Sequence, residues 1–166
     1  MILGRNMKWM LYEDGFLYIY GDGLLFDYEL NTDNLPEWHE YKDIIKSIEI
    51  ESRIKRIGDF LFSNLPNVET ITITSSIDEI GLNPFIGCNK LREIKIYYSE
   101  YFSFEEGMLM TKDKKELISY LESYEENILI LPYSIEILRE YSIYNNNKLE
   151  LIILERNEIK LKSKSK

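Results

Sequence analysis

Few residues in this chain have the types and the spacing that catalysis requires. His39 is the only histidine, and a helical segment would place Asp43 on the same face, four positions later. Such a pair would supply a general base and the carboxylate that orients it. No serine or cysteine motif marks a nucleophile for that base to activate. We therefore interpret His39 as a satisfied or solvated histidine and expect no catalytic residue.

Cys88 is the only cysteine, so the chain offers neither an intrachain disulfide nor a cysteine-based zinc site. It occupies a repeated apolar position, described below, which predicts a buried thiol and not a reactive one. The segment "YGDGL", residues 20–24, is too short for a phosphate-binding loop and matches neither nucleotide-binding fingerprint. These features together predict that the protein has no cofactor.

Two acidic clusters offer oxygen atoms that could bind calcium weakly. They are Glu105 with Glu106, and the group Glu122, Glu125 and Glu126. Neither has the alternating Asp and Asn spacing of a dedicated calcium loop. A solvated acidic surface is the preferred interpretation, and no metal site is expected.

The composition excludes several classes of partner. The 166 residues suffice for one domain with a core, and the formal net charge of −9 predicts a surface that repels phosphate backbones, so nucleic acid is not expected as a partner. The basic end "KLKSKSK", residues 160–166, is expected to be frayed and solvated. No apolar run approaches the roughly 18 residues that span a bilayer, so membrane insertion is not expected. The first residues also lack a signal-peptide pattern.

A repeat of 23 residues predicts the elements that would position any site. The segments 53–65, "RIKRIGDFLFSNL", and 76–88, "SIDEIGLNPFIGC", share isoleucines, one glycine and one phenylalanine at matching positions. Apolar triplets recur before, between and after them: Ile45, Ile48 and Ile50; Val68, Ile71 and Ile73; Leu91, Ile94 and Ile96; Leu149, Ile152 and Leu154. Repeats of about 20–29 residues built on L-x-x-I-x-I are typical of leucine-rich repeats, whose stacked units bury a continuous core.

Single positions within the repeat make finer predictions. Gly58 and Gly81 would permit either a tight turn with positive φ or close packing between coils. Phe62 and Phe85 are expected to fill the core on the side away from the strands. Arg139 stands at the glycine position of the fourth coil, so the turn there is expected to be altered.

The chain also resembles the BspA-like leucine-rich repeats, bacterial-type units that read roughly L-x-x-I-x-I-P-x-S-V-x-x-I-G-x-x-A-F-x-x-C. Residues 73–91, "ITSSIDEIGLNPFIGCNKL", copy most of one unit, and residues 107–120, "GMLMTKDKKELISY", are similar to the hairpin insert of that family. Trp9, the glycine-rich strand after it and Trp38 are similar to its amino-terminal cap. The fold class that we predict is a β-rich leucine-rich-repeat solenoid. In it, right-handed coils stack a parallel sheet, short helical or irregular segments lie on the other side, and a β-hairpin caps the amino terminus.

One structural domain is expected. Residues 1–43 are predicted to form the hairpin cap, in which "FLYIYGDGLLF" alternates around a Gly-Asp-Gly turn. Residues 44–155 are predicted to form the coils, and a hairpin insert near 102–122 makes the third unit about a dozen residues longer than its neighbours. Residues 156–166 form the basic tail. Short helical turns are expected only around 38–45 and 58–64.

The outward positions of the strands form the candidate binding surface. They are polar in the first three coils, whereas the last two strands are apolar on both faces. The candidate residues for binding a partner or for self-association are Lys95, Tyr97, Ile128, Ile130, Leu151 and Ile153. Strands that are apolar on both faces indicate that something covers them. The cover is the hairpin insert, a second copy of the chain or a foreign ligand, and the sequence leaves these three alternatives open.

The leading functional hypothesis is a non-enzymatic protein-binding module, because leucine-rich repeats present an extended sheet to their partners. The family resemblance implies adhesion at the cell surface or binding of a host protein, although fold does not fix function. The alternative is a structural protein that forms a homodimer or larger assembly through its apolar carboxy-terminal strands. The resemblance implies a secreted or cell-surface location. Because the first residues lack a signal-peptide pattern, a cytoplasmic location remains the alternative.

Overall fold

The structure is a computed structural model that describes residues 6–144 and 146–163. These residues form a β-solenoid of about five turns, as the repeat predicts, and the only helix among them is a 3-10 helix at Glu37–Tyr41. The strands, in chain order, are β1 Met7–Leu11, β2 Phe16–Gly21, β3 Gly23–Leu24, β4 Ser47–Ile50, β5 Ile54–Ile57, β6 Thr70–Ile73, β7 Glu79–Ile80, β8 Glu93–Ile96, β9 Phe102–Glu105, β10 Met108–Thr111, β11 Glu116–Tyr120, β12 Ile128–Leu131, β13 Ile137–Arg139, β14 Leu151–Leu154 and β15 Lys160–Lys162.

The main sheet has the strand order β1-β2-β4-β6-β8. β1 and β2 form an antiparallel hairpin, and the remaining neighbours pair in parallel. The hairpin turn lies between Leu11 and Phe16, so its prediction at Gly-Asp-Gly is wrong. Gly21 and Gly23, both with positive φ, instead form a corner that leads from β2 into β3. A corner and a hairpin turn both need glycine, and the sequence pattern alone does not separate them.

A second parallel sheet consists of β3, β5 and β7, the short strands that come after the main-sheet strands β2, β4 and β6 along the chain. Inward-facing residues of both sheets are buried and form ladders from coil to coil, including Leu17, Ile19, Ile48, Ile50, Ile54, Ile57, Ile71, Ile73, Ile80 and Ile94. Away from the main sheet, the rings of Trp38, Phe62 and Phe85 stack with centroids 5.8 Å and 6.3 Å apart. The predicted core role of Phe62 and Phe85 is confirmed, whereas residues 59–64 form turns and not the expected helix.

Gly58 and Gly81 lie where adjacent coils touch. A Cβ atom on Gly58 would stand 2.0 Å from the carbonyl oxygen of Phe26, and one on Gly81 would stand 2.2 Å from Oδ1 of Asp59. Neither glycine has a positive φ. Of the two alternatives that the sequence allowed, close packing between coils is the one observed.

The hairpin insert consists of β9, β10 and β11 and interrupts the stack after the third coil. β11 pairs in parallel with β13, and β13 pairs with β15, which gives the sheet order β15-β13-β11-β10-β9. β12 and β14 form a separate two-stranded parallel sheet. The single continuous row of coil strands that the repeat predicted is therefore broken after β8.

The side chains of the insert point into the core. Met108, Met110 and Leu117 pack against Leu129 and Leu131, the inward-facing residues of β12. The insert therefore does not cover the outward face of β12. Of the three alternatives for what covers this face, the hairpin insert is wrong.

The basic end of the chain is partly ordered. Lys160–Lys162 forms β15 and pairs in parallel with β13, so the expectation of a frayed end is wrong for these three residues. Each backbone hydrogen bond of this short strand satisfies groups at the edge of β13. Residues 164–166 of the predicted tail lie outside the described residues.

Candidate binding surface

The outer face of the main sheet is set by the parallel register of its strands. Tyr18 of β2 lies beside Glu49 of β4, Glu49 beside Thr72 of β6, and Thr72 beside Lys95 of β8. Because side chains alternate along a strand, these residues share the outward face while the isoleucines between them are buried. The coils thus present rows of side chains that run across the sheet.

A row of aromatic rings runs along one edge of this face. The rings of Tyr12 and Phe16 lie 5.5 Å apart between centroids, those of Phe16 and Tyr18 6.2 Å, and those of Tyr18 and Tyr20 5.7 Å. Their planes are within 29° of parallel. Separations this much larger than a face-to-face contact leave each ring only partly covered by its neighbour. We call these four residues the aromatic row.

The sequence analysis did not single out the aromatic row, although a signal for it was present. "FLYIY" alternates aromatic and aliphatic residues from Phe16 to Tyr20. The aliphatic residues Leu17 and Ile19 are fully buried, so the aromatic ones must face outward. Treating the segment only as part of a cap concealed that its outward side is apolar.

Two carboxylates border the aromatic row. Glu51 accepts a hydrogen bond from the backbone N–H of Gly21 at 2.9 Å, which lowers the pKa of Glu51, and pairs with Arg53 at 3.3 Å. The side chain of Glu49 makes no hydrogen bond or ion pair with any residue in the described part of the chain. Burial, followed by the charges of Glu51 and Glu49, raises the pKa of the Tyr18 phenol. Of the two carboxylates, Glu51 is therefore paired and the side chain of Glu49 is not.

The six residues named as candidates from the sequence fall into two groups. Lys95 and Tyr97 lie at the far edge of the main sheet, on β8 and directly after it. Ile128, Ile130, Leu151 and Ile153 lie on the two-stranded sheet, where Ile128 pairs with Leu151 and Ile130 with Ile153. The four apolar side chains are 43%, 52%, 50% and 41% exposed, respectively. The structure brings these four together but places them in a different sheet from Lys95 and Tyr97.

The inward side of β14 is also accessible. Ile152 and Leu154 occupy the ladder positions that are buried in earlier coils, yet both are exposed here. Ile152, Ile143 and Leu161 line a mainly apolar cavity of about 380 Å³ between β14 and β15. Both faces of β14 thus expose apolar residues, whereas in β12 the inward residues Leu129 and Leu131 are buried.

The residues considered for chemistry do not form a reactive site. His39 lies on the 3-10 helix, where burial, followed by the charge of Lys42, lowers the pKa of its imidazole, and the described residues include no hydrogen bond between it and Asp43. Cys88 is buried, and its Sγ donates to the carbonyl oxygen of Phe62 at 3.0 Å. Burial raises the pKa of the Cys88 thiol to about 12, which confirms the predicted core position.

Two negative findings concern the described residues alone. They contain no group of three or more His, Cys, Asp and Glu side chains that could hold a metal ion. Within residues 6–144 and 146–163, no helix has the length and apolar character that crossing a membrane requires.

A charged groove of about 280 Å³ lies beside β7, and its cations are already neutralised. Arg56 pairs with Asp27 at 2.8 Å and with Glu79 at 3.0 Å, while Arg139 pairs with Glu116 at 2.7 Å. Lys162 also reaches Glu116, at 3.3 Å. An anion entering this groove would have to displace a carboxylate from each cation, so the groove is an ion-pair network and not a site for an anionic ligand.

Comparison with known proteins places these features in a family. The family model described as the BspA type leucine rich repeat region, with six copies, matches residues 39–127. A comparison with curated proteins finds no match.

Solved structures with a similar fold include three bacterial leucine-rich-repeat or surface proteins. The pneumococcal vaccine antigen PcpA has a TM-score of 0.56 and 22% identity, covering 72% of this chain and 36% of that chain. A leucine-rich repeat protein from Eubacterium ventriosum has a TM-score of 0.44 and 18% identity, covering 96% of this chain and 60% of that chain. A leucine rich cell surface protein from Faecalibacterium prausnitzii has a TM-score of 0.46 and 11% identity, covering 94% and 70%. The chain thus spans 36% of PcpA and 60% of the Eubacterium ventriosum protein, and the likeness to PcpA concerns the fold alone.

Proposed function

Since the chain belongs to the BspA-type leucine-rich-repeat family, we propose that it is a non-enzymatic protein-binding module whose partner lies on the outer face of the main sheet. Repeat proteins of this class use extended faces built from successive units to contact their partners. Adhesion to another cell or to a host protein is the biological setting that the family suggests.

The aromatic row is the observation that carries the proposal. Aromatic side chains are enriched at the centres of protein interfaces because they offer a large contact area at a low cost in conformational entropy. Tyr12 is exposed in the hairpin turn, and Phe16, Tyr18 and Tyr20 are only partly buried, although these three stand on a strand whose other side is core. Maintaining so much aromatic surface in contact with water has a free-energy cost that a bound partner would remove.

The dimensions of the face set the size of the partner contact. Five strands spaced about 4.8 Å apart make the main sheet roughly 19 Å wide. Each strand of the sheet has four to six residues, so the face is also short in the strand direction. Such a face accommodates a peptide segment or one edge of a folded protein, at the low end of standard interface areas.

Selection of peptides from a random displayed library would test the proposal. The selected peptides are expected to bind Tyr18→Ser or Tyr97→Ser protein at least about fivefold more weakly than the unchanged protein, since each substitution removes aromatic contact area from the outer face. Tyr98→Ser is the matched control, because Tyr98 is almost fully exposed and follows the strand. Selected peptides that tolerate both outer-face substitutions would show that the partner does not bind there.

Self-association is the second candidate function, and the two-stranded sheet favours it. Ile128, Ile130, Leu151 and Ile153 form a continuous exposed apolar patch, because they pair in register across β12 and β14. A second copy of the chain would bury the same patch on both subunits, as a two-fold dimer requires. Under this alternative the carboxy-terminal strands, and not the main sheet, are the functional surface.

Light scattering across a concentration series would test this alternative. A dimer of the unchanged protein is expected to become a monomer when Ile130→Glu and Ile153→Glu are combined, since each glutamate would be buried without a partner. Thr72→Glu, on the outer face of the main sheet, is the control and should leave the mass unchanged. If the unchanged protein is a monomer at every concentration, self-association through this patch is excluded.

A further inference from the structure

The spacing of the aromatic row matches the repeat of an extended polypeptide. Along β2, the ring centroids of Phe16, Tyr18 and Tyr20 are 6.2 Å and 5.7 Å apart, whereas Tyr12 lies across the hairpin from Phe16. In an extended chain every second side chain points the same way, and these side chains repeat at about 6.4–6.8 Å. A partner segment that lies along β2 can therefore place one side chain over each successive ring without losing register over the length of the row.

The charges around the row determine which side chains fit. Glu49 lies next to Tyr18 and is free of partners among the described residues, and Glu51 follows it on the same side of β4. The nearby cations are Arg53, which pairs with Glu51, and Lys8, which lies opposite Tyr20 on β1. The carboxylate of Glu49 is thus the unpaired charge beside Tyr18, whereas Lys8 places a cation that is unpaired among the described residues at the Tyr20 end of the row.

Lysine and arginine side chains suit both parts of this surface. Their aliphatic stems cover apolar surface while the charged end stays at the edge, and their cations are attracted to aromatic rings and to a carboxylate. An acidic segment would place like charges against Glu49, and nucleic acid would be repelled by the net charge of −9. A second copy of the row would bring two sets of carboxylates together.

We propose that the aromatic row, with Glu49 beside it, is the docking strip for an extended polypeptide segment in which basic residues alternate with residues of any type. This proposal rests on the proposed function and specifies the chemistry of the partner. One basic side chain lies across Tyr18, where its cation pairs with Glu49, and the next lies across Phe16, away from Lys8. The alternate residues of the segment point away from the sheet and carry no selectivity.

Calorimetric titration with synthetic peptides of equal length tests the proposal. One peptide alternates lysine with threonine, a second alternates glutamate with threonine, and a soluble neutral glucan serves as a third probe. The lysine peptide is expected to bind at least about tenfold more tightly than the glutamate peptide, because the latter opposes like charges. Its affinity should fall as salt is added, since the contribution of Glu49 is screened.

Single substitutions test whether the lysine peptide binds at the aromatic row. Tyr18→Ser is expected to weaken the lysine peptide about fivefold through lost contact with its cation and stem, and Glu49→Gln about threefold with a smaller salt dependence. Tyr98→Ser should leave the affinity unchanged. Glu49→Gln keeps the size and strand position of the side chain, so it remains informative if Tyr18→Ser unfolds the protein.

Each of the remaining possible results would contradict a different part of the proposal. Equal binding of both peptides, weakened in each case by Tyr18→Ser, would refute the basic requirement and leave the proposed function intact. Binding of the glucan and of neither peptide would replace the polypeptide with a carbohydrate. If neither synthetic peptide binds, but binding of the library-selected peptides is still weakened by Tyr18→Ser or Tyr97→Ser, this inference alone would be refuted. Failure of both experiments would refute the proposed function as well.

Discussion

Replacing Phe62 with alanine is expected to lower the free energy of unfolding by about 4 kcal/mol. The Phe62 ring is fully buried and stacks between Trp38 on one side and Phe85 on the other. Each of these rings comes from a different turn of the solenoid, so the stack connects the amino-terminal region to the second repeat. Removing the central ring leaves a cavity that neighbouring coils cannot close without moving against the close contacts at Gly58 and Gly81.

Urea unfolding monitored by circular dichroism would measure the change. Phe26→Ala is the matched control, because the Phe26 side chain is exposed, and it should lower the free energy of unfolding by less than about 0.5 kcal/mol. The slope of the transition should be unchanged in both variants if unfolding stays cooperative. Equal losses in the two variants would show that the aromatic stack is not part of the cooperative core.

The 23-residue period predicts the fold where each coil is regular. Isoleucines at matching positions can only be buried together if the coils stack, and the observed ladder from Ile48 through Ile71 to Ile94 follows that rule. Cys88 could be assigned to the core for the same reason, since the first repeat has Leu65 at its position. Local pattern and global packing agree in these coils.

The period fails at the third unit because the insert is buried on both faces. All residues of β11 and most of β10 are buried, so their sequences show no alternation that would reveal an inward and an outward side. The fourth coil could pair either with β11 or with the segment after β8, and long-range packing decides between these two pairings. A single sequence contains no local signal for that choice.

Only part of the candidate surface could be predicted. The apolar residues Ile128 and Ile130 were recognisable because they break the expected alternation, and their exposure agrees with outward positions. The position of a carboxylate beside the aromatic row could not be predicted, because it depends on the register between β2 and β4. That register brings Glu49 beside Tyr18 across 31 positions of sequence, and the intervening corner and 3-10 helix determine it.

Replacing Arg139 with alanine is expected to lower the free energy of unfolding by about 3 kcal/mol. Arg139 occupies a glycine position of the repeat, and its guanidinium enters the space beside β7 that a regular coil would fill. It donates to the carbonyl oxygens of Ile80 and Gly81, the latter at 3.1 Å, and to Oε1 of Glu116 at 2.7 Å. The side chains of both ion-pair partners are largely buried, at 14% and 10% exposure. Alanine would leave two carbonyl oxygens and a carboxylate without this donor.

A double-mutant cycle separates the ion pair from the carbonyl contacts. Arg139→Ala combined with Glu116→Gln should recover about 1 kcal/mol relative to Arg139→Ala alone, because the buried charge is then removed. The recovery is limited because Lys162 still reaches Glu116 in the single variant, at 3.3 Å. Arg92→Ala breaks an exposed pair with Glu69 and should cost less than about 0.5 kcal/mol in the same urea experiment. If Arg139→Ala costs no more than Arg92→Ala, the contacts of the Arg139 guanidinium with Glu116 and with the carbonyl oxygens of Ile80 and Gly81 do not stabilise the fold.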